Sequence, residues 1–426
     1  MKTLFHNASI LKMDDSPIYF GDLLVEDNRI TYIGPDYTKN GPFDRVIECN
    51  GNLIMPGFKN AHTHNGMSFL RSKADGSNLH DWLFNEIFPR EALMKEEDIY
   101  HLGKISILEQ LTSGITACLD QYYWPLEHAR ACKEIGFRLV IQACANKDND
   151  GDKLIELYNS INNEKGLVTY RIGFHAEYTS SEEELKEIQK AIKATKSPYL
   201  THISETQSEV DDCVSRRGMT PVKYFDSLGL FDYGGVCYHS IYLTEDDIEI
   251  FKKKHIAVVT CPGSNLKLAS GICPVNRYLD EGLLIGIGTD GPSSNNCLDM
   301  FKEMSLVINL AKIKTNNPNA LSAYEVLKMA TVNGAKILGL DDCDTLEVGK
   351  LADIIEIDLS RPNMQPINNV VDNLVNSGSK DNIKLTMING KVLYEDGKFF
   401  INQDIEEIYD KVQEIGDRID KQLLGE

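Results

Sequence analysis

The feature that most constrains the fold is an alternation of short apolar runs with helix-length amphipathic stretches, which begins after Gly57. Apolar runs of about four to eight residues are typical of buried strands. Eight such runs follow one another, at residues 58–64, 116–120, 138–143, 171–175, 199–202, 236–239, 257–261 and 284–290. Helical patterns lie between them, for instance at residues 96–112, 126–135, 181–195, 244–254 and 274–281. Because strands that alternate with helices form parallel βαβ units, the pattern predicts an α/β fold built on a (β/α)8 TIM barrel.

The two ends of the chain have a different pattern, of short strands separated by polar turns. Strand patterns fill residues 3–56, and they return at residues 352–358, 383–388 and 391–394, after a last barrel helix at 322–338. We expect residues 1–56 and 344–402 to form one small discontinuous β-sandwich domain, and residues 57–343 to form the barrel. A polar stretch at residues 403–426 is predicted to be a C-terminal helix.

Composition limits the partners of the chain. Its 426 residues include 44 Lys and Arg against 64 Asp and Glu, which gives a formal net charge of −20. Such an acidic chain repels nucleic acid and anionic lipid, so both are excluded as partners. No signal-peptide pattern and no run of 18 apolar residues is present, which predicts a cytoplasmic protein. The ten cysteines are scattered without a C-x-x-C pair, as expected for buried free thiols in a reducing compartment.

Histidine and aspartate recur where the predicted barrel strands end. His62-Thr63-His64 closes the first run, and alternate residues of a strand lie on one face about 7 Å apart, so both imidazoles can reach one cation. Imidazole is a common ligand of zinc and iron. Because the active site of a barrel lies at the carboxyl ends of its strands, we expect one site there. The other residues at or near strand ends are Asp120, His175, His202, His239 and Asp290.

Several motifs resemble those of one enzyme family. They are Pro56-Gly57 before His62-Thr63-His64, Thr201-His202-Ile203-Ser204-Glu205, His239, and the segments 262–271, 288–291, 294–296, 349–353 and 388–391. Together they span roughly residues 3–400 and resemble the amidohydrolase superfamily, in its deaminase and chlorohydrolase branch. Within that branch the chain is most similar to the 5′-methylthioadenosine/S-adenosylhomocysteine deaminases.

The chemistry of these residue types fits a catalytic metal, which needs about three to four protein ligands and an open position for water. The residues that match this count are His62, His64, His202 and Asp290. Glu205 would take a proton from the bound water and deliver it to a ring nitrogen, while a metal-bound hydroxide attacks the ring carbon and ammonia leaves. His239 would orient the water or stabilise developing charge, and Asp290 would also accept a hydrogen bond from the hydroxide. Taken singly, His202 can be a core histidine, Glu205 can begin a solvated helix, and Asp290 can shape a turn.

The resemblance implies a small heterocyclic substrate and a homo-oligomeric enzyme. It also implies that His175 contacts a purine ring and that Glu91 receives ribose hydroxyls, and Trp82 is a candidate for the pocket wall. Each has an alternative, since His175 and Trp82 can pack in the core and Glu91 can lie on a solvated helix face. Binuclear relatives carry a lysine at the end of the fourth strand. This chain has His175 in that region, which favours one metal ion per chain.

Three positions depart from the family's pattern. Glu177 stands where nucleoside deaminases usually carry proline, and its carboxylate can contact a basic substrate group or point outward. Tyr238-His239-Ser240 replaces the usual Ala-His-Cys. Ala143 and Lys153 stand where members that use adenosylhomocysteine carry arginines, so a bidentate clamp for the amino-acid carboxylate is lost. We therefore expect a smaller nucleoside or another aminated heterocycle as substrate.

The sequence thus predicts a metal-dependent hydrolytic deaminase of an aminated purine nucleoside or a related N-heterocycle. One Zn²⁺ per chain is expected, although the same ligands would accept Fe²⁺. Two enzyme alternatives use the same site: a hydrolase that displaces chloride or an alkylamine from a triazine-like ring, and a guanine- or pterin-type deaminase. A barrel that binds metal without catalysis is the alternative outside the enzymes.

Overall fold

Eight parallel strands form a nearly closed barrel in the computed structural model, which describes residues 1–143 and 150–425. The strands follow chain order, and each pairs with the next. They are β6 (Phe58–Thr63), β7 (Ile115–Gln121), β8 (Arg138–Ala143), β9 (Val168–Gly173), β10 (Tyr199–Ile203), β11 (Gly235–His239), β12 (Ile256–Thr260) and β13 (Ile285–Ile287). Next to β13, the backbone N–H of Asp290 donates to the carbonyl of His62 over 3.0 Å, which joins the last strand region to the first. The predicted (β/α)8 barrel is confirmed.

The terminal strands form one nine-stranded mixed sheet. They are β1 (Lys2–Ile10), β2 (Tyr19–Glu26), β3 (Arg29–Gly34), β4 (Arg45–Glu48), β5 (Leu53–Pro56), β14 (Ile354–Ile357), β15 (Ile383–Ile388), β16 (Lys391–Glu395) and β17 (Lys398–Phe399). Their order is β17-β16-β15-β14-β5-β1-β2-β3, with β4 beside β1. The pairing of β5 with β14 joins the two ends of the chain, as expected from the sequence. The exact domain boundaries stay a prediction.

Sixteen α-helices occur among the described residues. They are α1 (Leu79–Asp81), α2 (Phe88–Glu91), α3 (Glu96–Thr112), α4 (Pro125–Ile135), α5 (Gly151–Asn163), α6 (Glu182–Thr195), α7 (Gln207–Arg217), α8 (Pro221–Ser227), α9 (Glu245–Lys254), α10 (Pro262–Lys267), α11 (Val275–Asp280), α12 (Met300–Thr315), α13 (Ala323–Ala330), α14 (Val332–Leu338), α15 (Val370–Asn376) and α16 (Ile405–Leu424). A π-helical turn, Trp82–Ile87, connects α1 to α2.

Two predicted elements differ from the structure. The fourth barrel strand begins at Val168 and ends at Gly173, three and two residues before the predicted bounds of 171 and 175. Thr169 and Arg171 interrupt its apolar pattern, although Val168 and Tyr170 are buried against β8. The helix predicted at 322–338 is two helices, because Thr331 leaves the helical region with φ −126° and ψ −91°.

The C-terminal helix packs over the carboxyl end of the barrel. Ile415 and Ile419 on α16 are buried in one apolar cluster with Met67, Trp82 and Leu83. This cluster includes residues that line the candidate site, so α16 supports the site from outside.

Two composition-based expectations concern the whole chain. Among the described cysteines none is in a disulfide, and eight of these nine are buried while Cys297 is half-buried; Cys144 lies outside the described residues. Among the described helices none is long and apolar enough to cross a bilayer.

Candidate metal centre and active site

Four metal-binding side chains meet at the carboxyl end of the barrel. His62 lies in β6 and His64 just after it, His202 lies in β10, and Asp290 follows β13. All four are buried. Nε2 of His64 is 3.1 Å from Oδ1 of Asp290 and 3.3 Å from Nε2 of His202. Nε2 of His62 is 3.4 Å from the same Asp290 oxygen, and one ligand atom from each residue lies within 4.8 Å of the others.

Backbone carbonyls orient two of these rings. Nδ1 of His64 is 2.6 Å from the carbonyl oxygen of Gln121, and Nδ1 of His202 is 2.8 Å from that of His175. Because a carbonyl only accepts, each Nδ1 carries the hydrogen and each Nε2 presents a lone pair to the centre. Both nitrogens of His62 are buried and have no hydrogen-bond partner among the residues that the structure describes. Facing lone pairs and an unsatisfied buried imidazole are unfavourable alone and fit a metal cation.

Burial and local charges favour the metal-binding protonation states of His62, His202 and Asp290, but not that of His64. Burial lowers the pKa of His62 to about 3 and lowers the pKa of His202 well below its ordinary value. Burial lowers the pKa of His64 too, but the hydrogen bond to Asp290 outweighs it, and the pKa of His64 is raised. Burial raises the pKa of Asp290, yet His62 and His64 outweigh it and hold that pKa well below its usual range. An ionised aspartate and neutral imidazoles are the forms that bind a metal.

Glu205 lies beside the centre, two residues after β10. Its Oε1 accepts a hydrogen bond of 2.8 Å from the hydroxyl of Ser270, and its backbone N–H donates over 2.8 Å to Glu209. Glu209 accepts a second backbone N–H, from Ser204, over 2.9 Å. Burial raises the pKa of the Glu205 carboxyl. Glu205 is thus fixed through its carboxyl and through its backbone N–H. A carboxyl that is fixed in place and has a raised pKa is suited to proton transfer near neutral pH.

His239, at the end of β11, completes the centre. Its Nδ1 donates to Oδ1 of Asn265 over 2.7 Å, which leaves Nε2 to face the centre. That Nε2 is 3.6 Å from Glu205 and 4.0 Å from Asp290. Ser204, His239 and Asp290 all have left-handed backbones, with φ of 51°, 64° and 57°. Such strain in non-glycine residues concentrates at functional sites.

A small enclosed cavity adjoins the metal centre. Its polar end is formed by the centre, Glu205 and His175, and its apolar wall is formed by Met67, Leu79, Trp82, Leu83, Tyr178 and Leu268. The free space is about 20 Å³, enough for about one water molecule. Trp82 is buried, and within the described part of the chain its Nε1 has no hydrogen-bond partner. The free space of this cavity is therefore smaller than a heterocyclic ring.

Three other residues singled out in the sequence are not among those that line this cavity. Glu91 is buried rather than solvated, and it accepts a hydrogen bond of 2.6 Å from Tyr122, outside the cavity wall. Ala143 ends β8, and Lys153 in α5 pairs with Glu156 over 3.1 Å. Their substrate roles stay predictions.

Two further carboxylates have structural partners. Asp120 accepts hydrogen bonds from the N–H of Asn65 and from Nδ1 of His128, over 2.7 and 2.8 Å. Glu177 neither contacts the cavity nor points outward, because Arg216 and Arg217 enclose it in the protein. The expectation that Glu177 points outward is therefore wrong, and a contact with a basic substrate group stays a prediction.

Residues 53–393 match the amidohydrolase family, and they span most of the chain. The chain belongs to the amidohydrolase family. It is 37% identical over 423 residues to the 5-methylthioadenosine/S-adenosylhomocysteine deaminase of Caldanaerobacter subterraneus subsp. tengcongensis, covering 97% of each chain. It is 35% identical over 396 residues to the 5′-deoxyadenosine deaminase of Methanosphaera stadtmanae, covering 91% of this chain and 93% of that one.

A solved structure of this family resembles the whole fold. The zinc-bound adenosine deaminase of Xanthomonas campestris superposes with a TM-score of 0.92 at 30% identity, and 98% of each chain is covered. The fold and the family predicted from the sequence are thus confirmed.

Three residues that hydrogen-bond His239 or Glu205 were not assigned a role from the sequence. Asn265 and Ser270 lie in the segment 262–271, whose resemblance was noted without a role for either side chain. Glu209 lies four residues after Glu205, and that spacing on the first turn of a helix was the available signal.

Proposed function

We propose that this amidohydrolase is a zinc-dependent deaminase of adenine nucleosides that carry a small, uncharged group at the 5′ position. Water replaces the exocyclic amino group of the ring, and ammonia is released. The observation that carries the proposal is the buried set of three histidines and one aspartate with Glu205 and His239 beside it. It is supported by relatives named as a 5-methylthioadenosine/S-adenosylhomocysteine deaminase, at 37% identity, and a 5′-deoxyadenosine deaminase, at 35% identity. The first name also includes a nucleoside with a larger, charged 5′ group, so the cavity wall and not the names argues for a small one.

The chain's own residues account for the proton movements. A zinc ion held by the His62, His64, His202 and Asp290 side chains supplies, when bound, a water molecule of lowered pKa. Glu205 is positioned to hold the proton from that water on its free Oε2 and to pass it to a ring nitrogen. His239 faces the same space with Nε2, where it stabilises charge that develops on the reacting centre.

The cavity wall supports a small uncharged 5′ group. Among the described residues that line the cavity there is no lysine or arginine, and the wall facing the metal centre is aliphatic and aromatic. An amino-acid carboxylate placed there would lose its water without gaining a cationic partner. The buried, unpartnered Nε1 of Trp82 is a free donor for one acceptor on the substrate.

We propose one zinc ion per chain, because the described residues at the barrel mouth offer one group of four close donor atoms. The second group of close metal-binding side chains among the described residues, His6, Asp22 and Asp36, lies near the terminal sheet, where its carboxylates already accept hydrogen bonds. Iron would suit the same imidazoles and carboxylate, so metal analysis of the purified protein decides between them.

The test is ammonia release by the zinc-loaded protein from a panel of substrates. The panel is adenosine, 5′-methylthioadenosine, 5′-deoxyadenosine, S-adenosylhomocysteine, guanine, a pterin and an aminochlorotriazine. We expect turnover of the first three, with S-adenosylhomocysteine at least tenfold poorer in kcat/KM, which is the order of one lost charge-assisted contact. Turnover of the chlorotriazine alone would overturn the proposal in favour of the chlorohydrolase alternative.

Two glutamate variants separate catalysis from folding. Glu205→Gln should keep its zinc and lose about 10³-fold in kcat, because it removes the proton carrier. Glu356→Gln is the matched control, since this carboxylate is also buried but lies in β14 of the terminal sheet, where it pairs with Lys384. Equal losses in the two variants, or a Glu205→Gln enzyme that keeps its activity, would contradict the assigned role.

A further inference from the structure

The loop after β9 carries two residues of the cavity wall with a buried carboxylate between them. His175 and Tyr178 line the cavity, whereas the Glu177 side chain is 0% exposed and lies away from it. Arg216 grips this carboxylate with two hydrogen bonds, from Nη1 to Oε1 over 3.0 Å and from Nη2 to Oε2 over 2.6 Å. Nε of Arg217 donates to Oε1 as well.

The two arginines keep the Glu177 carboxylate ionised although it is buried, and burial of a charged group is unfavourable. Burial raises the pKa of Glu177, but the hydrogen bonds from Arg216 and Arg217 outweigh it and hold that pKa below its ordinary value. The carboxylate is buried, whereas the Arg216 side chain is 46% exposed and that of Arg217 20% exposed, so the pair lies at the edge of the protein. Such a pair contributes little net stability, and its best attested use is to fix one geometry. The geometry fixed here is that of the cavity wall.

Arg216 and Arg217 lie at the C-terminal end of α7, and a residue in the first turn of α7 accepts a hydrogen bond from the backbone of Glu205. They are the last two residues of α7, and Glu209 in the first turn of α7 accepts the backbone N–H groups of Ser204 and Glu205. One helix of eleven residues therefore contacts the backbone of the proton carrier at one end and the ring-facing loop at the other.

We propose that Glu177 is a positioning residue that, through Arg216 and Arg217, fastens the His175–Tyr178 loop to α7. This contact fixes the position of the cavity wall at His175 and Tyr178 relative to the Glu205 carboxyl. The wall would receive the substrate ring, and Glu205 would transfer a proton to that ring. This inference rests on the proposed deaminase function, and it concerns substrate placement rather than the chemical step.

A second carboxylate near Arg217, that of Glu182, provides a control for the Glu177 variant. The Arg217 guanidinium also lies 3.9 Å from the ring centre of Tyr224 and 3.7 Å from Glu182, whose side chain is 67% exposed. Glu182→Gln removes an anionic partner of the same arginine without touching the loop. It should behave as the wild type does.

The kinetic test compares Glu177→Gln, Arg216→Gln and Glu182→Gln on the best nucleoside of the panel. For Glu177→Gln we expect KM to rise about tenfold while kcat changes less than threefold and zinc content stays the same, because ring placement is lost before chemistry. Arg216→Gln should give a smaller rise, since Arg217 still pairs with Glu177, and it serves if Glu177→Gln does not fold. A lower unfolding midpoint with wild-type KM and kcat in both variants would overturn the proposal.

Hydrogen exchange gives a second readout that needs no substrate. The amides of residues 174–180 should exchange at least about tenfold faster in Glu177→Gln than in the wild type or Glu182→Gln. Unchanged exchange there would contradict the bracing role. If the wild type turns over none of the nucleosides but the exchange rates differ as expected, the proposed function fails while the brace stands.

Discussion

Three side chains at the metal centre, those of His64, His202 and His239, are each oriented by a neighbouring hydrogen-bonding group. Gln121 and His175 offer backbone carbonyls to the rings of His64 and His202, and Asn265 fixes His239. The sequence predicted the ligand set because imidazole and carboxylate at strand ends form a recognisable pattern. It could not predict the carbonyl partners, since any residue type supplies a backbone carbonyl and only the path of the loop selects one.

The contact between Asn265 and His239 gives a prediction at this scale. Asn265→Leu removes the acceptor that keeps the hydrogen on Nδ1 of His239, so kcat should fall about 10- to 100-fold with little change in zinc content. Asn265→Asp keeps an acceptor in place and should retain more activity than Asn265→Leu. Steady-state kinetics on both variants check this, and equal activity in the two would contradict a role for the acceptor.

At the scale of elements, the barrel strands and several of the longer helices were predicted, because burial imposes a regular apolar pattern on them. The pattern did not single out α12 (Met300–Thr315), whose buried face includes the charged residue Glu303. Glu303 accepts the N–H of Gly263 over 2.9 Å and the amide of Asn295 over 2.8 Å. It thus links α12 to α10 and to the loop after β13. The contact with α10 joins residues 40 positions apart, which local sequence does not encode.

The same glutamate predicts a pH dependence of stability. Burial raises the pKa of Glu303 to about 7, above its unfolded value near 4.5, so the folded state holds this proton where the unfolded state has lost it. The stability from this group is complete below pH 4.5 and is lost as pH rises through 7. Urea unfolding should show wild type losing on the order of 2 kcal/mol relative to Glu303→Gln between pH 5 and pH 8. A wild type that gains stability relative to Glu303→Gln as pH rises, or a pH-independent difference, would contradict the assignment.

At the scale of the whole molecule, a buried ion pair joins the barrel to the terminal sheet. Arg138 at the start of β8 donates from Nε and Nη2 to Asp353 over 2.8 and 2.9 Å. Asp353 precedes β14 and also accepts the N–H of Asn389 over 2.8 Å. The sequence predicted that both ends of the chain share one unit, but the partners are 215 residues apart and no local pattern pairs them.

Breaking this pair should destabilise the molecule as one unit. Asp353→Ala leaves the Arg138 guanidinium buried without its partner, so the free energy of unfolding should fall by about 3–5 kcal/mol. Urea denaturation followed by circular dichroism measures the loss. The exposed pair of Lys411 and Glu414 offers the control, since Glu414→Ala should cost less than about 1 kcal/mol. A comparable loss in both variants would contradict the bridging role of Asp353.

The central claim is that three histidines and one aspartate hold a single catalytic zinc ion. The most direct measurement is a titration of metal-free protein with zinc while ammonia release from 5′-methylthioadenosine is followed. We predict activity that rises in proportion to bound zinc and stops rising at one ion per chain, with no activity in His202→Ala at the same zinc concentration. Full activity in the metal-free protein, or a plateau only at two ions per chain, would contradict the account.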